Sequence, residues 1–407
     1  MVVSIDSAFG NCAGNTKSKR LRRRLAAGAW LLVACLVAFQ LPLRARGESL
    51  GNFANLGISN VFLIMMENHD WSTISGSPNC PFINSTLLPK ASLATQYFTP
   101  PDNHPSEPNY IWLVSGTNFG IRDDHSPATN QRNTTNHLAY LLDRAGVSWR
   151  TYQEDISGRD IPLVNNYPYA VRHNPFMFFK NITTNLSYVT NHVRPFNELS
   201  GDLSDNSVAH FNFISPNVTN DMHDSVGGIS TRILGDAWLS RHVPEILKSS
   251  AFTNGGVLFI AWDEGSLGTA TGESDGPLGL IVLSPMAKGR GYISTLHYTH
   301  SSTLRTFQDI LGVRPYLGDA KNATDLSDLF FSPPRITGVA FAPTGGYGIS
   351  AGNAWIGRTH HLQFSGDLAL DFWQTITTQV ATKSTLQFTT PALPEQAMGF
   401  YRLLVQP

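Results

Sequence analysis

Residues 58–66 read ISNVFLIMM and run directly into Glu67-Asn68-His69-Asp70. The apolar, β-branched stretch predicts a buried strand, and the abrupt change to polar residues marks its end. Residues 256–262, GVLFIAW, repeat the pattern and run into Asp263 and Glu264. The two segments predict the centre of a sheet whose strand ends carry acidic and amide side chains.

Strands and helices alternate on either side of these segments. The pattern predicts further strands at 147–152, 208–214 and 278–284, and helices at 136–145, 230–248 and 299–311. This alternation indicates an α/β sheet with helices on both faces. In open α/β sheets, sites form beyond the strand ends, which is where the polar residues of this chain lie.

Length and composition indicate a large folded protein. The chain has 407 residues, with 42% hydrophobic and 14% charged residues, which excludes global disorder and predicts two domains. The 29 basic and 30 acidic residues nearly cancel, and much of the basic charge lies in the first 46 positions. A nucleic-acid-binding protein needs a basic face, so we expect no nucleic-acid partner.

The character of the sequence changes after Ser332-Pro333-Pro334. Short alternating segments with Gly and Pro between them predict a small β-sandwich over residues 335–407, after a main domain over 48–332. The small domain carries no carboxylate–histidine cluster. It is interpreted as a spacer or stabiliser, with contact to a surface or a polysaccharide as the alternative.

The first 47 residues are interpreted as a targeting segment. A basic cluster over 17–24 precedes an apolar run over 25–43, which is typical of a signal peptide. The expected location is therefore secreted or periplasmic, and a membrane anchor through 25–43 is the alternative. Cleavage would leave Cys80 as the single cysteine, so no intrachain disulfide is expected.

Three polar clusters are candidates for chemistry. Glu67-Asn68 and Asp263-Glu264 end two strands and offer oxygen donors to one hard cation, although acidic loop residues are also common without a metal. Ser106, in the segment NHPSEPNY, can present its hydroxyl at a helix N-terminus that favours anions, or simply cap that helix. His223 lies between two acids in NDMHD, which suits a metal ligand, a general acid or an exposed loop.

Six segments in one order resemble a known family. They are MMENHDW (65–71), HPSEPNYIWLVSG (104–116), HNPF (173–176), SPNVTNDMHD (215–224), FIAWDEG (259–265) and HYTHSSTLRTFQDILG (297–312). Together they resemble the phosphoesterase family of acid phosphatases and non-specific phospholipases C, in the alkaline phosphatase superfamily. The resemblance covers roughly residues 56–318 and implies an alkaline-phosphatase-like sheet.

The resemblance also implies roles for individual residues. Those implied to be catalytic are Ser106 as the nucleophile with His173, His223 and His300. Those implied to bind substrate are Asn68, His104, Asn220 and Arg305. Those implied to bind metal are Glu67, Asn68, Asp263 and Glu264. The family often has Asp where this chain has Glu264, whose longer side chain changes the reach of that ligand.

These roles predict a secreted, metal-dependent phosphomonoesterase of the acid phosphatase type that works through a phosphoserine. The substrate would be a small phosphate ester or a phospholipid head group, and the cation Ca²⁺, Mg²⁺, Mn²⁺ or Zn²⁺. A phospholipase C is the alternative among enzymes. A surface-binding protein with a vestigial hydrolase domain is the alternative from another class.

Overall fold

The computed structural model describes residues 3–6, 51–53, 56–265, 272–342, 345–367, 372–390 and 398–405. Apart from residues 3–6, the predicted signal peptide or anchor lies outside the described residues. Within the described ranges, no helix has the length and hydropathy needed to cross a membrane.

Strands and helices alternate through the larger part of the chain, as predicted. The strands are β1 (Val3–Asp6), β2 (Asn60–Met66), β3 (Ser92–Ala94), β4 (Tyr97–Phe98), β5 (Trp149–Gln153), β6 (Val193–Pro195), β7 (Phe211–Ser215), β8 (Gly256–Trp262), β9 (Leu280–Leu283), β10 (Tyr292–Ser294), β11 (Tyr298–Thr299), β12 (Arg335–Phe341), β13 (Tyr347–Gly352), β14 (Thr359–Ser365), β15 (Gln374–Val380), β16 (Thr385–Thr389) and β17 (Met398–Val405). The α-helices are α1 (Trp71–Ile74), α2 (Ser106–Ser115), α3 (Pro127–Asn130), α4 (Leu138–Ala145), α5 (Lys180–Thr183), α6 (Leu186–His192), α7 (Leu199–Ser204), α8 (Thr231–Lys248), α9 (Ser250–Thr253) and α10 (His300–Leu311).

An eight-stranded mixed sheet forms the centre, in the order β10-β3-β9-β8-β2-β7-β5-β6. Only β9 among these strands runs antiparallel to its neighbours. The apolar strands β2 and β8 pair in parallel in the middle, and β7 pairs with the other side of β2. The carboxyl ends of β7, β2 and β8 therefore meet at one edge of the sheet.

Helices cover both faces of this sheet. Phe259 of β8 contacts Phe307 of α10 with ring centroids 5.3 Å apart. Trp262 lies three residues further along β8, so it points to the opposite face, where it contacts Trp71 of α1 at 6.2 Å. The predicted α/β architecture with helices on both faces is confirmed.

The C-terminal residues form two small antiparallel sheets. One has the order β12-β13-β16 and the other the order β1-β17-β14-β15. A shared apolar cluster joins them, and it includes Ile349 and Phe388 from the first sheet and Leu362 and Leu403 from the second. The predicted all-β region is confirmed, whereas the predicted boundaries at 332 and 335 stay a prediction. The edge strand β1 from the N-terminus was not predicted.

The predicted helix over 136–145 starts two residues late, at Leu138. The His137 side chain accepts a hydrogen bond from the backbone N–H of Tyr140 and so caps the helix, which leaves Asn136 outside it. Apolar periodicity predicts the body of a helix, whereas its first residue depends on which side chain caps it.

Helix α2 ends in a close approach of two backbones. Gly116 caps the helix with φ +67°, and a Cβ built there would lie 2.3 Å from the carbonyl oxygen of Leu317. The backbone N–H of Asp319 donates to the carbonyl of Gly116 at 2.8 Å. This contact fixes the helix that begins with Ser106.

Gly116→Ala tests this contact against Gly146→Ala, a matched left-handed helix cap with open space around its Cβ position. We expect Gly146→Ala to lower the free energy of unfolding by about 1–2 kcal/mol, the cost of a left-handed backbone alone. Gly116→Ala should lower it by roughly 3 kcal/mol or more, because overpacking adds to that cost. Urea unfolding of both variants measures the difference, and equal losses would contradict the proposed role of the contact.

Candidate active site

Four buried acids converge at the carboxyl edge of the central sheet. Glu67 follows β2, Asp263 and Glu264 follow β8, and Asp221 lies in the loop after β7. The backbone N–H of Glu67 donates to the carbonyl of Asp221 at 2.8 Å, and that of Asp263 donates to the carbonyl of Met66 at 3.0 Å. The strand ends are thus tied together by backbone hydrogen bonds, and the side chains project from a rigid frame.

Ser106 lies among these carboxylates. It is the first residue of α2 and is 2% exposed. Its Oγ lies 3.0 Å from Glu67 Oε2 and 3.2 Å from Glu264 Oε1, so its one proton has an acceptor on either side. The hydroxyl is therefore placed next to bases that can receive its proton.

His173 lies between two of the acids without making ordinary hydrogen bonds. Its Nε2 is 3.0 Å from Glu67 Oε1, and its Nδ1 is 3.0 Å from Asp221 Oδ2. None of these four buried atoms has a partner of acceptable hydrogen-bond geometry among the described residues. Tyr110 stacks on the imidazole at 4.9 Å and 7°, which holds the ring in this position.

These atoms fit a divalent cation. Asp263 Oδ2 is also buried without a partner in the described structure, while its Oδ1 accepts the backbone N–H of Asn68 at 3.1 Å. Ligands about 2.1 Å from a cation and at right angles lie about 3.0 Å apart, which matches the distance between Glu67 and His173. Carboxylate oxygens that accept no hydrogen bond, together with an imidazole nitrogen, are suitable ligands for such an ion.

The geometry places three of the four predicted metal ligands in the cluster by their side chains. Glu67, Asp263 and Glu264 lie in the cluster, whereas the contact recorded for Asn68 is made by its backbone. His173 and Asp221 each offer a ligand atom within 4.8 Å of one from Glu67, so both could hold a metal although neither was predicted as a ligand.

A second cluster shares Glu264 with the first. His104 Nδ1 is 2.7 Å from Glu264 Oε2 and 3.2 Å from Asp275 Oδ2. The hydrogen bond to Glu264 raises the pKa of His104 to about 9, so a proton lies between the two side chains at neutral pH. Asn109, one helical turn after Ser106, donates to the same Glu264 oxygen at 3.2 Å.

His223 lies at the rim of the site. Its Nδ1 is 2.6 Å from Asp224 Oδ1, and its Nε2 is 3.2 Å from Nη2 of Arg172. The side chain is 29% exposed, and its ring centroid lies 6.1 Å from that of His173. The structure therefore brings the two predicted histidines together, with His223 on the accessible side.

His300 lies in the protein core next to Asp263, away from solvent. It is fully buried, with Nε2 2.6 Å from the carbonyl oxygen of Asp263 and Nδ1 2.9 Å from the hydroxyl of Tyr97. Burial lowers the pKa of His300 to about 4, so the ring is neutral and can donate to that carbonyl. Its geometry is that of a residue that positions Asp263.

Two predicted substrate-binding residues are not brought to the cluster. The Asn220 amide donates to Glu154 Oε2 at 2.9 Å. Arg305 lies on α10, where its Nε donates to Asp309 at 3.2 Å and its guanidinium lies 3.8 Å from the ring centre of Tyr316. These contacts are structural and give no support to a role at the acids.

Sequence comparison identifies the family of this chain. The sequence profile of the Phosphoesterase family matches residues 78–314. A phosphatidylinositol-3-phosphatase from Mycobacterium tuberculosis is 30% identical over 272 residues, which cover 67% of this chain and 83% of that protein. The chain belongs to the Phosphoesterase family. It is therefore a hydrolase of phosphate esters, as the sequence predicted.

Other relatives differ in length or are more distant. A phosphate-repressible acid phosphatase from Penicillium chrysogenum is 30% identical over 219 residues, which are 53% of this chain and only half (50%) of that protein. A solved structure from the alkaline phosphatase superfamily, from Vibrio parahaemolyticus, shares 9% identity at a TM-score of 0.42 and covers 79% of this chain and 83% of that chain.

Burial raises the pKa of each of the four acids, and neighbouring carboxylates raise the pKa values of Glu67, Asp221 and Glu264 further. The pKa of Asp263 rises to about 6 and that of Glu264 to about 8, while those of Glu67 and Asp221 lie well above their usual values. Without a cation, protons must neutralise part of this buried charge.

The pH dependence of cation binding follows from this competition. In the cation-free protein, the raised pKa values give stability below about pH 4.5 that is lost as the pH rises through about 6 to 8. A cation replaces these protons, so added Mg²⁺ or Mn²⁺ should raise the melting temperature more at pH 8 than at pH 5. Differential scanning fluorimetry of the chelated protein measures this.

Glu67→Gln should remove most of the cation-induced rise, whereas Glu245→Gln, at an exposed position on α8, should leave it unchanged. A rise that is independent of pH, or that survives in Glu67→Gln, would contradict a cation among these acids.

Proposed function

We propose that this phosphoesterase is a metal-dependent phosphomonoesterase that transfers the phosphoryl group to Ser106. The position of Ser106 Oγ carries the proposal, because it lies 3.0 Å from Glu67 and 3.2 Å from Glu264 beside the orphaned acids. A serine hydroxyl is a weak nucleophile unless a base or a cation activates it, and this position offers both.

The cation would be held by Glu67, Asp263 and His173, with Ser106 and Glu264 adjacent. Asp221, 3.0 Å from His173 Nδ1, would orient the imidazole from behind. When bound, a divalent cation would lower the pKa of the Ser106 hydroxyl and neutralise charge on the phosphoryl oxygens. Oxygen donors with one imidazole suit Mg²⁺ or Mn²⁺ and also admit Zn²⁺ or Ca²⁺.

The residues of the chain then act in two steps. Ser106 Oγ gives its proton to a neighbouring carboxylate and attacks phosphorus, so that the Oγ–P bond forms as the P–O bond to the alcohol breaks. His223, on the accessible side and oriented by Asp224 at its Nδ1, would protonate the leaving oxygen from Nε2, once Nε2 no longer accepts from Arg172 Nη2. Water then gives a proton to His223 and attacks phosphorus, the Oγ–P bond breaks, and Ser106 regains its proton from the carboxylate.

Monoesters are the proposed substrates because the relatives reported above are both named as phosphatases. We also propose that the protein is exported from the cell, because residues 17–43 have the pattern of a signal peptide. A phospholipase C remains the alternative that the assay must distinguish. A vestigial hydrolase domain is disfavoured because Ser106 still lies next to buried carboxylate oxygens that accept no hydrogen bond from the described residues.

Ser106→Ala tests the nucleophile against Ser115→Ala, a buried serine at the other end of the same helix. Ser115 Oγ donates to a backbone carbonyl of its own helix, so its loss leaves the acids intact. We expect Ser106→Ala to lower kcat for p-nitrophenyl phosphate by about a thousandfold or more, and Ser115→Ala to lower it by less than about tenfold. Chelation should abolish wild-type activity, and added divalent cation should restore it.

Full activity in Ser106→Ala would move the nucleophile elsewhere. Release of diacylglycerol from phosphatidylcholine, with no release of phosphate from the monoester, would replace the phosphomonoesterase by a phospholipase C.

A further inference from the structure

Arg172 presents an unused hydrogen-bond donor next to His223 at the rim of the site. It directly precedes His173, and its side chain is 17% exposed. Its Nη2 lies 3.2 Å from His223 Nε2, but its Nε is buried and has no hydrogen-bond partner among the described residues. Leaving a buried N–H of a charged group without an acceptor costs free energy. The Arg172 guanidinium is therefore positioned to donate to a group that enters the site.

Asp124 occupies the space between Arg172 and the start of α2. Its Oδ1 accepts the backbone N–H of Glu107, the residue after Ser106, at 2.9 Å. Its Oδ2 lies 3.8 Å from Arg172 Nε, too far for a hydrogen bond. A carboxylate therefore lies between an amide and a guanidinium, the two kinds of donor that hold phosphoryl oxygens in proteins.

The charge of the site makes this arrangement significant. A phosphomonoester dianion must approach Glu67, Asp221, Asp263 and Glu264, which repel it. Arg172 directly precedes His173, which lies 3.0 Å from both Glu67 and Asp221, so its positive charge lies near the same acids. Arg172 can therefore stabilise an incoming anion at the same acids.

We propose that Arg172 and the Glu107 N–H bind the non-bridging oxygens of the substrate's phosphoryl group, and that Asp124 leaves this position when the phosphoryl group enters. Arg172 is then the residue that favours dianionic monoesters over monoanionic diesters, because the second negative charge gains most from a guanidinium. The inference rests on the proposed function and names the group that selects its substrate class.

The experiment compares Arg172→Ala, Asp124→Asn and a control, Arg150→Ala, in the full chain loaded with cation. Arg150 is a partly buried arginine on β5 paired with Asp202 at 2.6 Å, so its variant reports the general cost of losing an Arg–Asp pair. Isothermal titration measures binding of inorganic phosphate. Turnover of p-nitrophenyl phosphate and bis-p-nitrophenyl phosphate gives the preference for monoesters.

Arg172→Ala should weaken phosphate binding about 10- to 100-fold and lower kcat/KM more for the monoester than for the diester. Asp124→Asn should strengthen phosphate binding severalfold, because the competing negative charge is gone. Arg150→Ala should bind phosphate as the wild type does. This pattern supports the proposal, and the opposite signs for Arg172 and Asp124 exclude a merely structural pair.

Unchanged phosphate binding in Arg172→Ala would overturn the inference, as would weaker binding in Asp124→Asn. These outcomes are decided by the binding of inorganic phosphate, which can be measured whether or not the protein hydrolyses an ester. A wild-type protein that binds phosphate through Arg172 but hydrolyses no monoester would therefore overturn the proposed function and leave this inference supported.

Discussion

Repulsion among buried carboxylates is the constraint on which the rest of the site depends. Glu67, Asp221, Asp263 and Glu264 are each at most 2% exposed, and they are held together by the pairing of β2 with β7 and β8. Like charges at this spacing in a medium of low dielectric constant cannot all be ionised without compensation. A cation or protons must supply it, and this requirement connects stability, pH and catalysis in one cluster.

The surrounding residues keep these acids in place once the charge is compensated. His300 holds the backbone carbonyl of Asp263, Asn109 holds Glu264, and Tyr110 supports His173 by stacking. Such outer contacts fix the orientation of ligands that would otherwise move apart. Ser106, at the start of α2, is thus presented to a rigid set of acceptors, which is what a positioned nucleophile requires.

Much of this could be predicted from the sequence because apolar strands end abruptly in acids. The runs before Glu67 and Asp263 indicated both the sheet and the edge where the site lies. Contacts between distant segments leave no periodic signal, which is why Asp275 was not predicted beside His104 and Arg172 was not predicted beside His223. Asn109 could have been found, since it lies one helical turn from Ser106.

The most direct test of the account is a crystal structure of the chain grown with Mn²⁺, with anomalous scattering recorded at the manganese edge. The account predicts one peak about 2.0–2.4 Å from both Glu67 Oε1 and Asp263 Oδ2, within reach of Ser106 Oγ. A well-ordered site with no peak between these oxygens at pH 8 would contradict it, because the acids would then be neutralised by protons alone.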